Sequence, residues 1–140
     1  MRNILSGLIP VLIGMMLLTA CETDNATLLT DGVWTFQDMT SDSEESAVIS
    51  LVSLAKALLT DASMEFQEGG TYILTSLLQE NPTRGEWQLI GEDQLVLDPE
   101  DEGASTSNIE TLTKDKLSYS ESFVDGQMNT YTITTTWTRN

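Results

Sequence analysis

The chain has 140 residues, with 22 acids against six bases, no histidine and a single cysteine, for a formal net charge of −16. So acidic a chain is repelled by nucleic acid and by anionic headgroups. Without histidine, and with one thiol, it cannot assemble Ser-His-Asp or Cys-His catalysis, a disulfide, or the usual zinc and copper ligand sets. Paired carboxylates could still hydrolyse glycosides, but no apolar stretch presents two isolated acids. A non-enzymatic protein without cofactor or bound metal is the expectation.

Arg2 opens the chain, and residues 4–18 are almost wholly apolar, broken by Ser6, Gly7, Pro10 and Gly14. Thr19 and Ala20 then supply small residues before Cys21. A charged start, an apolar core and a small-residue exit predict a secretory signal peptide over residues 1–20. The apolar stretch is shorter than the ~20 residues of a spanning helix. Leu18-Thr19-Ala20-Cys21 resembles a bacterial lipobox. The resemblance implies that the Cys21 sulfur takes a diacylglycerol, that the chain is cut before it, and that the new amine is acylated, with palmitate a typical chain. Each buried CH₂ contributes ~0.8 kcal/mol, so several chains anchor a protein that one holds only marginally. Glu22 stands where an aspartate would resemble an inner-membrane retention signal. The expected location is the bacterial cell envelope, at the outer membrane, on either its periplasmic or its surface face.

Residues 21–30 are expected to be the lipidated cysteine and a short polar tether, and residues 31–140 one domain. "GVWTFQDM", 32–39, is a first strand rich in aromatic and β-branched residues. "SDSEESAVISLVSLAKALLTDA" is the one clear helix, with apolar residues at helical spacing. Ser41 with Glu44, or Asp42 with Glu45, has capping-box spacing. The helix, over residues 45–60, is expected to cover one mouth of the fold with Leu51, Leu54 and Leu58 facing inward, as a fixed plug or as a lid. "MEFQ" and "TYILTSLL" flank a Glu68-Gly69-Gly70 turn. "GEWQLI", "QLVLD", "IETLT", "KLSYSESF" and "MNTYTITTTWTR" follow as strands, separated by turns and by the loop "PEDEGASTSN".

Within that loop, Asp98, Glu100, Glu102 and Gly103 mimic the start of a calcium-binding loop. The twelfth position, which needs a bidentate glutamate, holds Ile109. The segment is therefore read as a solvated loop, with no metal site.

In the last strand Tyr131, Ile133, Thr135, Trp137 and Arg139 share one face and five threonines the other. Threonine suits a half-wet pleated surface. Met64 with Phe66, Trp87 with Leu89, Leu95 with Leu97, and Leu117 with Tyr119 and Phe123 alternate likewise. The expected fold is mainly β: a small antiparallel eight-stranded barrel, with one helix between strands 1 and 2.

Gly32-Val33-Trp34 resembles the Gly-x-Trp signature of lipocalins. With the lipobox, "GVWTF", "GGTY", "GEWQL" and "IETLTKDKLSY", the chain resembles the lipocalin-like lipoproteins of Bacteroidota. The resemblance implies that Trp34 closes one barrel end against Arg139. The position of the helix is more like that of the fatty-acid-binding proteins. Two functions follow as expectations. One is binding of a small apolar molecule inside the barrel, lined by Phe66, Trp87, Leu89, Leu117, Tyr119, Tyr131 and Ile133. The other is a filled barrel acting as a structural or interaction module for an envelope protein. A cavity of ~300 Å³ or more would favour the ligand.

Overall fold

The computed structural model describes residues 24–140. The leader, Cys21 and its acylation lie outside the described residues. Eight strands run in chain order around a closed barrel, each antiparallel to its neighbours, and β1 closes on β8. They are β1 (Val33–Ser41), β2 (Ser63–Gln67), β3 (Thr71–Thr75), β4 (Thr83–Ile90), β5 (Gln94–Pro99), β6 (Ser105–Leu112), β7 (Lys116–Val124) and β8 (Thr130–Thr138). Among the described residues two helices accompany them, α1 (Asn25–Thr30) before β1 and α2 (Ser46–Leu59) between β1 and β2. This is the architecture expected from the alternation of the strands.

Strand alternation decides what is inside. Trp34, Met64, Phe66, Tyr72, Leu95, Leu117 and Trp137 are buried and meet in one core. Phe66 meets the edge of Trp87, and Phe36 the edge of Trp137, with ring centroids 5.7 and 5.5 Å apart. Two irregularities keep the pattern useful where the ladder would otherwise carry a side chain outward. One in β1, between Phe36 and Asp38, lets both Phe36 and Met39 face inward despite their odd separation. One in β6, between Ile109 and Thr111, does the same for Ile109 and Leu112. At Gly85, in β4, a β-carbon would stand 2.5 Å from the Asp98 carbonyl and 2.7 Å from the Tyr72 ring, so only glycine lets β4, β5 and that ring come together.

Several local expectations are corrected. Residues 25–30 are not tether. They form α1, and Leu29 is wholly buried against the core. Leu28 and Leu29 are the cause: an apolar pair beside an open barrel end is better packed than hydrated. The capping box is absent as well. Glu45 is the N-cap of α2 and makes no side-chain capping bond. Ser41 and Ser43 instead accept from the amides of Ser43 and Glu45, and Asp42 accepts from the Thr132 amide at 2.7 Å. These side chains are committed to the turn and to β8. β3 stops at Thr75, and Leu77 and Leu78 are exposed in the following loop. There the Ser76 hydroxyl donates to the Leu58 carbonyl at 2.8 Å, tying the strand end to α2. β6 begins at Ser105, inside the expected loop, because Ser105 to Asn108 pair with Leu97 to Gln94.

The orientation of α2 differs most. Its buried stripe is Val48 and Val52, continued by the half-buried Ala55 and Leu59. Leu51, Leu54 and Leu58 are 54%, 58% and 48% exposed. A 3.6-residue repeat lets only one such stripe face the barrel. Val48, Val52 and Ala55 take most of that position, which leaves Leu51, Leu54 and Leu58 at the margin of the helix.

Candidate functional site

The two barrel ends are built differently. At one end α1 lies across the opening, beside the start of β1 and the end of β8. The Trp34 indole is fully buried there and donates to the Leu29 carbonyl at 3.0 Å. The Arg139 guanidinium lies over that indole, with Cζ 4.3 Å from the ring centroid. Its Nε donates to the Lys114 carbonyl and Nη1 to the Leu28 carbonyl, both at 2.8 Å, while Nη2 is buried without a hydrogen-bond partner. Gly32, at φ +114°, would carry a β-carbon 3.3 Å from Arg139 Cδ. The positive φ suits glycine, and the missing side chain leaves room for the arginine stem. This end is closed.

The other end is open. A cavity of about 370 Å³ lies between α2 and the barrel wall. Leu51 and Ala55 of α2 form its roof, and Met39 enters from β1 through the bulge described above. Leu97, Phe123 and Ile133 give apolar walls. Ser105 and Ser107 of β6, Tyr119 and Glu121 of β7, and Thr135 of β8 add polar groups. The register explains why these residues converge: Tyr119 stands opposite Thr135 and Glu121 opposite Ile133. Leu51 is thus exposed because it borders a cavity. A second hollow of about 540 Å³ lies further toward the C-terminal end of the helix, against Ala55, Leu58, Leu59, Leu74, Ser76 and Leu78.

Tyr119 forms part of the boundary between the cavity and the filled core. Its hydroxyl accepts from the Trp137 indole at 3.3 Å, and burial pushes its pKa up to about 12. It is neutral at any physiological pH. Glu121 is the one side chain of the lining that carries a charge. No hydrogen bond or ion pair to its carboxylate is found among the described residues. Its partial burial holds its pKa above the ordinary glutamate value. The charged pair nearest in sequence to the helix roof, Lys56 with Asp38 at 2.6 Å, is self-contained and half-exposed. That lysine, first in effect, and the Met39 amide hold Asp38 below its usual range.

The residues expected to line a ligand divide between these regions. Tyr119 and Ile133 border the cavity. Phe66 and Leu117 lie within the core, and Trp87 and Leu89 pack against it. Trp87 also donates to the Gln67 carbonyl at 3.0 Å. Tyr131 stacks on Phe123 at 5.7 Å, behind the ring that forms the wall. Phe66, Trp87, Leu89 and Leu117 therefore do not line the cavity, because that half of the barrel is packed solid, and Tyr131 does not line it either, being stacked on Phe123. Glu121 was missed. The alternation in "KLSYSESFV" already placed it on the face of Leu117, Tyr119 and Phe123. Ser105, Ser107 and Met39 carried no comparable signal, since the first two fell in an expected loop and the third follows a bulge. Among the described residues no group of three acids or cysteines is arranged to hold a metal ion.

Fold and site together define a small closed antiparallel barrel, packed at one end and hollow at the other beneath a helix. No protein-family model matches the chain, and no curated protein matches it. Among solved structures, it is similar to a DUF4847 family protein from Bacteroides vulgatus. The two are 13% identical, with a TM-score of 0.46, over 76% of this chain and 93% of that one.

Proposed function

We propose that this is a lipid-anchored binding protein of the bacterial envelope, non-enzymatic, that holds a small molecule in the cavity beneath α2. The cavity itself carries the proposal. Its volume of about 370 Å³ falls within the roughly 300–1,000 Å³ of small-molecule sites, near the lower limit. Its walls have the usual composition of such sites, mostly apolar with a few convergent polar groups. The lipocalin resemblance of Gly32-Val33-Trp34 and the lipobox at Cys21 point the same way.

Anchoring at Cys21 would also orient the barrel. Only Glu22 and Thr23 separate Cys21 from Asp24, where α1 is about to begin, so the fully extended link reaches ~10 Å. The chain enters at the closed end. That end would face the bilayer, and the mouth and α2 would face away from it, toward a soluble ligand.

The test is native mass spectrometry of the full protein, taken gently from its host membrane, with Ser105→Phe as the control that fills the cavity. The expected result is a small non-covalent adduct on the natural protein and none on the folded Ser105→Phe variant. An adduct of the same mass on both, or none on either after reconstitution with host extract, refutes the cavity as a binding site.

A further inference from the structure

We propose that the cavity selects a small amphiphile with a protonated amine, its apolar body against Leu97, Phe123 and Ile133 and its ammonium group on the Glu121 carboxylate. This rests on the binding function proposed above and specifies its ligand class.

Three observations lead to it. First, Glu121 is an acid in a cavity whose other lining residues are apolar or hydroxylic. β7 presents Leu117, Tyr119, Glu121 and Phe123 in succession on one side, and the cavity is lined by the last three. An ionised carboxylate in a partly apolar site is costly unless it gains a partner. No base from any surrounding element supplies one. Met39 of β1, Leu51 and Ala55 of α2, Leu97 of β5, Ser105 and Ser107 of β6, and Ile133 and Thr135 of β8 are uncharged, and Tyr119 stays neutral. A ligand cation would supply the missing charge.

Second, the hydroxyls are suited to an ammonium group. Ser105, Ser107 and Thr135 offer oxygen acceptors for the N–H bonds that Glu121 does not take. A carboxylate ligand would instead meet Glu121 as a like charge and find no cationic donor.

Third, the loops around the mouth are acidic. Asp42, Glu44 and Glu45 lie between β1 and α2, and Glu80 between β3 and β4. Glu100, Asp101 and Glu102 join β5 to β6, and Asp125 begins the connection from β7 to β8. The neighbouring Asp125 raises Glu45 above its usual range. Against these acids stand Arg84, at the start of β4, and Lys56 of α2, which is paired with Asp38. A mouth with a large excess of one sign of charge concentrates ligands of the opposite sign and speeds their entry.

Three water-soluble probes of similar shape separate charge selection from cavity binding: 2-phenylethylamine, 2-phenylethanol and 3-phenylpropionate. Isothermal titration at pH 7.5 with the full protein in nanodiscs, and with Glu121→Gln and Ser105→Phe, gives the comparison. The amine is expected to bind at least tenfold more tightly than the alcohol, and the carboxylate more weakly than either. In Glu121→Gln the amine should lose tenfold or more and come within about threefold of the alcohol, whose affinity is unchanged. Ser105→Phe should weaken all three. Equal binding of the three probes, or an amine affinity indifferent to Glu121→Gln, overturns the charge selection and leaves the cavity as a site for neutral molecules. Preference for the carboxylate also overturns it. Failure of every probe, the alcohol included, counts against the binding function itself.

Discussion

Removing the Trp34 indole tests how the closed end is held. The ring is fully buried, donates to the Leu29 carbonyl at 3.0 Å and lies under the Arg139 guanidinium at 4.3 Å. Trp34→Ala therefore empties a core position and leaves a carbonyl of α1 without its donor. Large-to-small changes of this kind cost about 3–5 kcal/mol, a large part of the 5–15 kcal/mol that typically holds a domain together. Arg139→Ala should cost less, about 2 kcal/mol. It loses two hydrogen bonds to backbone carbonyls, but the guanidinium is only partly buried and the two freed carbonyls can take up water in the variant. The pair should couple by ~0.5–2 kcal/mol, the range for a cation over an aromatic face. Urea unfolding of the two single variants and the double variant completes the cycle. Additivity within ~0.5 kcal/mol would mean that the stacked geometry contributes nothing and that the guanidinium acts only through its two carbonyls. Arg139→Lys adds a check. It keeps the charge but not the planar fork that reaches Lys114 and Leu28 together, so it should recover less than half of the Arg139→Ala loss.

Four further outcomes are expected. Glu121→Gln should stabilise the protein near pH 7.5: burial raises the carboxyl pKa on folding, so the native state binds its proton more tightly than the unfolded chain and loses stability as pH rises through that raised value; the gain should vanish below the ordinary value of 4.5, and a gain independent of pH between 3.5 and 8 would show that charge is not its cause. Amides 50–58 of α2, held to the barrel mainly by Val48 and Val52, should exchange with deuterium at an opening cost several kcal/mol below that of β7 and β8; exchange together with the slowest strand amides would make the helix a fixed plug. Gly85→Ala should destabilise by about 1–3 kcal/mol, since the new methyl meets Asp98 and Pro99 backbone that cannot yield cheaply, and an unchanged urea midpoint would contradict the packing of β4 on β5. Cys21→Ala should abolish incorporation of labelled palmitate in the host and leave an unprocessed precursor; labelling of the variant would refute acylation at this sulfur.

The barrel was legible because its strands repeat a period of two over long stretches. β8 is the clearest case: Thr135 and Trp137 are buried while the alternate threonines face out more freely. The misread segments share another physical feature. Their fate depends on partners far away in sequence. Asn25 to Thr30 looks like a tether until a barrel end is present for Leu29 to fill. Ser41 and Asp42 look like helix caps until the β1–α2 turn and β8 claim their oxygens. α2 shows the same effect across its width. Apolar residues on several sides do not reveal which stripe will meet the barrel, and the larger Leu51, Leu54 and Leu58 are the natural expectation over Val48 and Val52.

The site was less legible because a binding cavity consists of what the core leaves unfilled. Phe66 and Leu117 were natural candidates for lining, being large, apolar and inward. Those properties are also what close the lower half of the barrel, where they are 1% and 0% exposed. The upper half remains hollow because smaller or polar residues occupy inward positions there: Ser105 and Ser107 on β6, Thr135 on β8 and Glu121 on β7. The informative residues are therefore the ones that break an apolar alternation without breaking its parity. On β7 the sequence Leu117, Tyr119, Glu121, Phe123 places an acid where a leucine would pack, one step in from the rim. A purely structural barrel gains nothing from that choice, since a leucine there would bury more apolar surface and leave no carboxylate to desolvate. Glu121→Leu should accordingly give a more stable protein with a smaller cavity, at the expense of amine affinity. A variant less stable than the natural protein would mean that Glu121 supports the fold, and that the hollow end is shaped by packing alone.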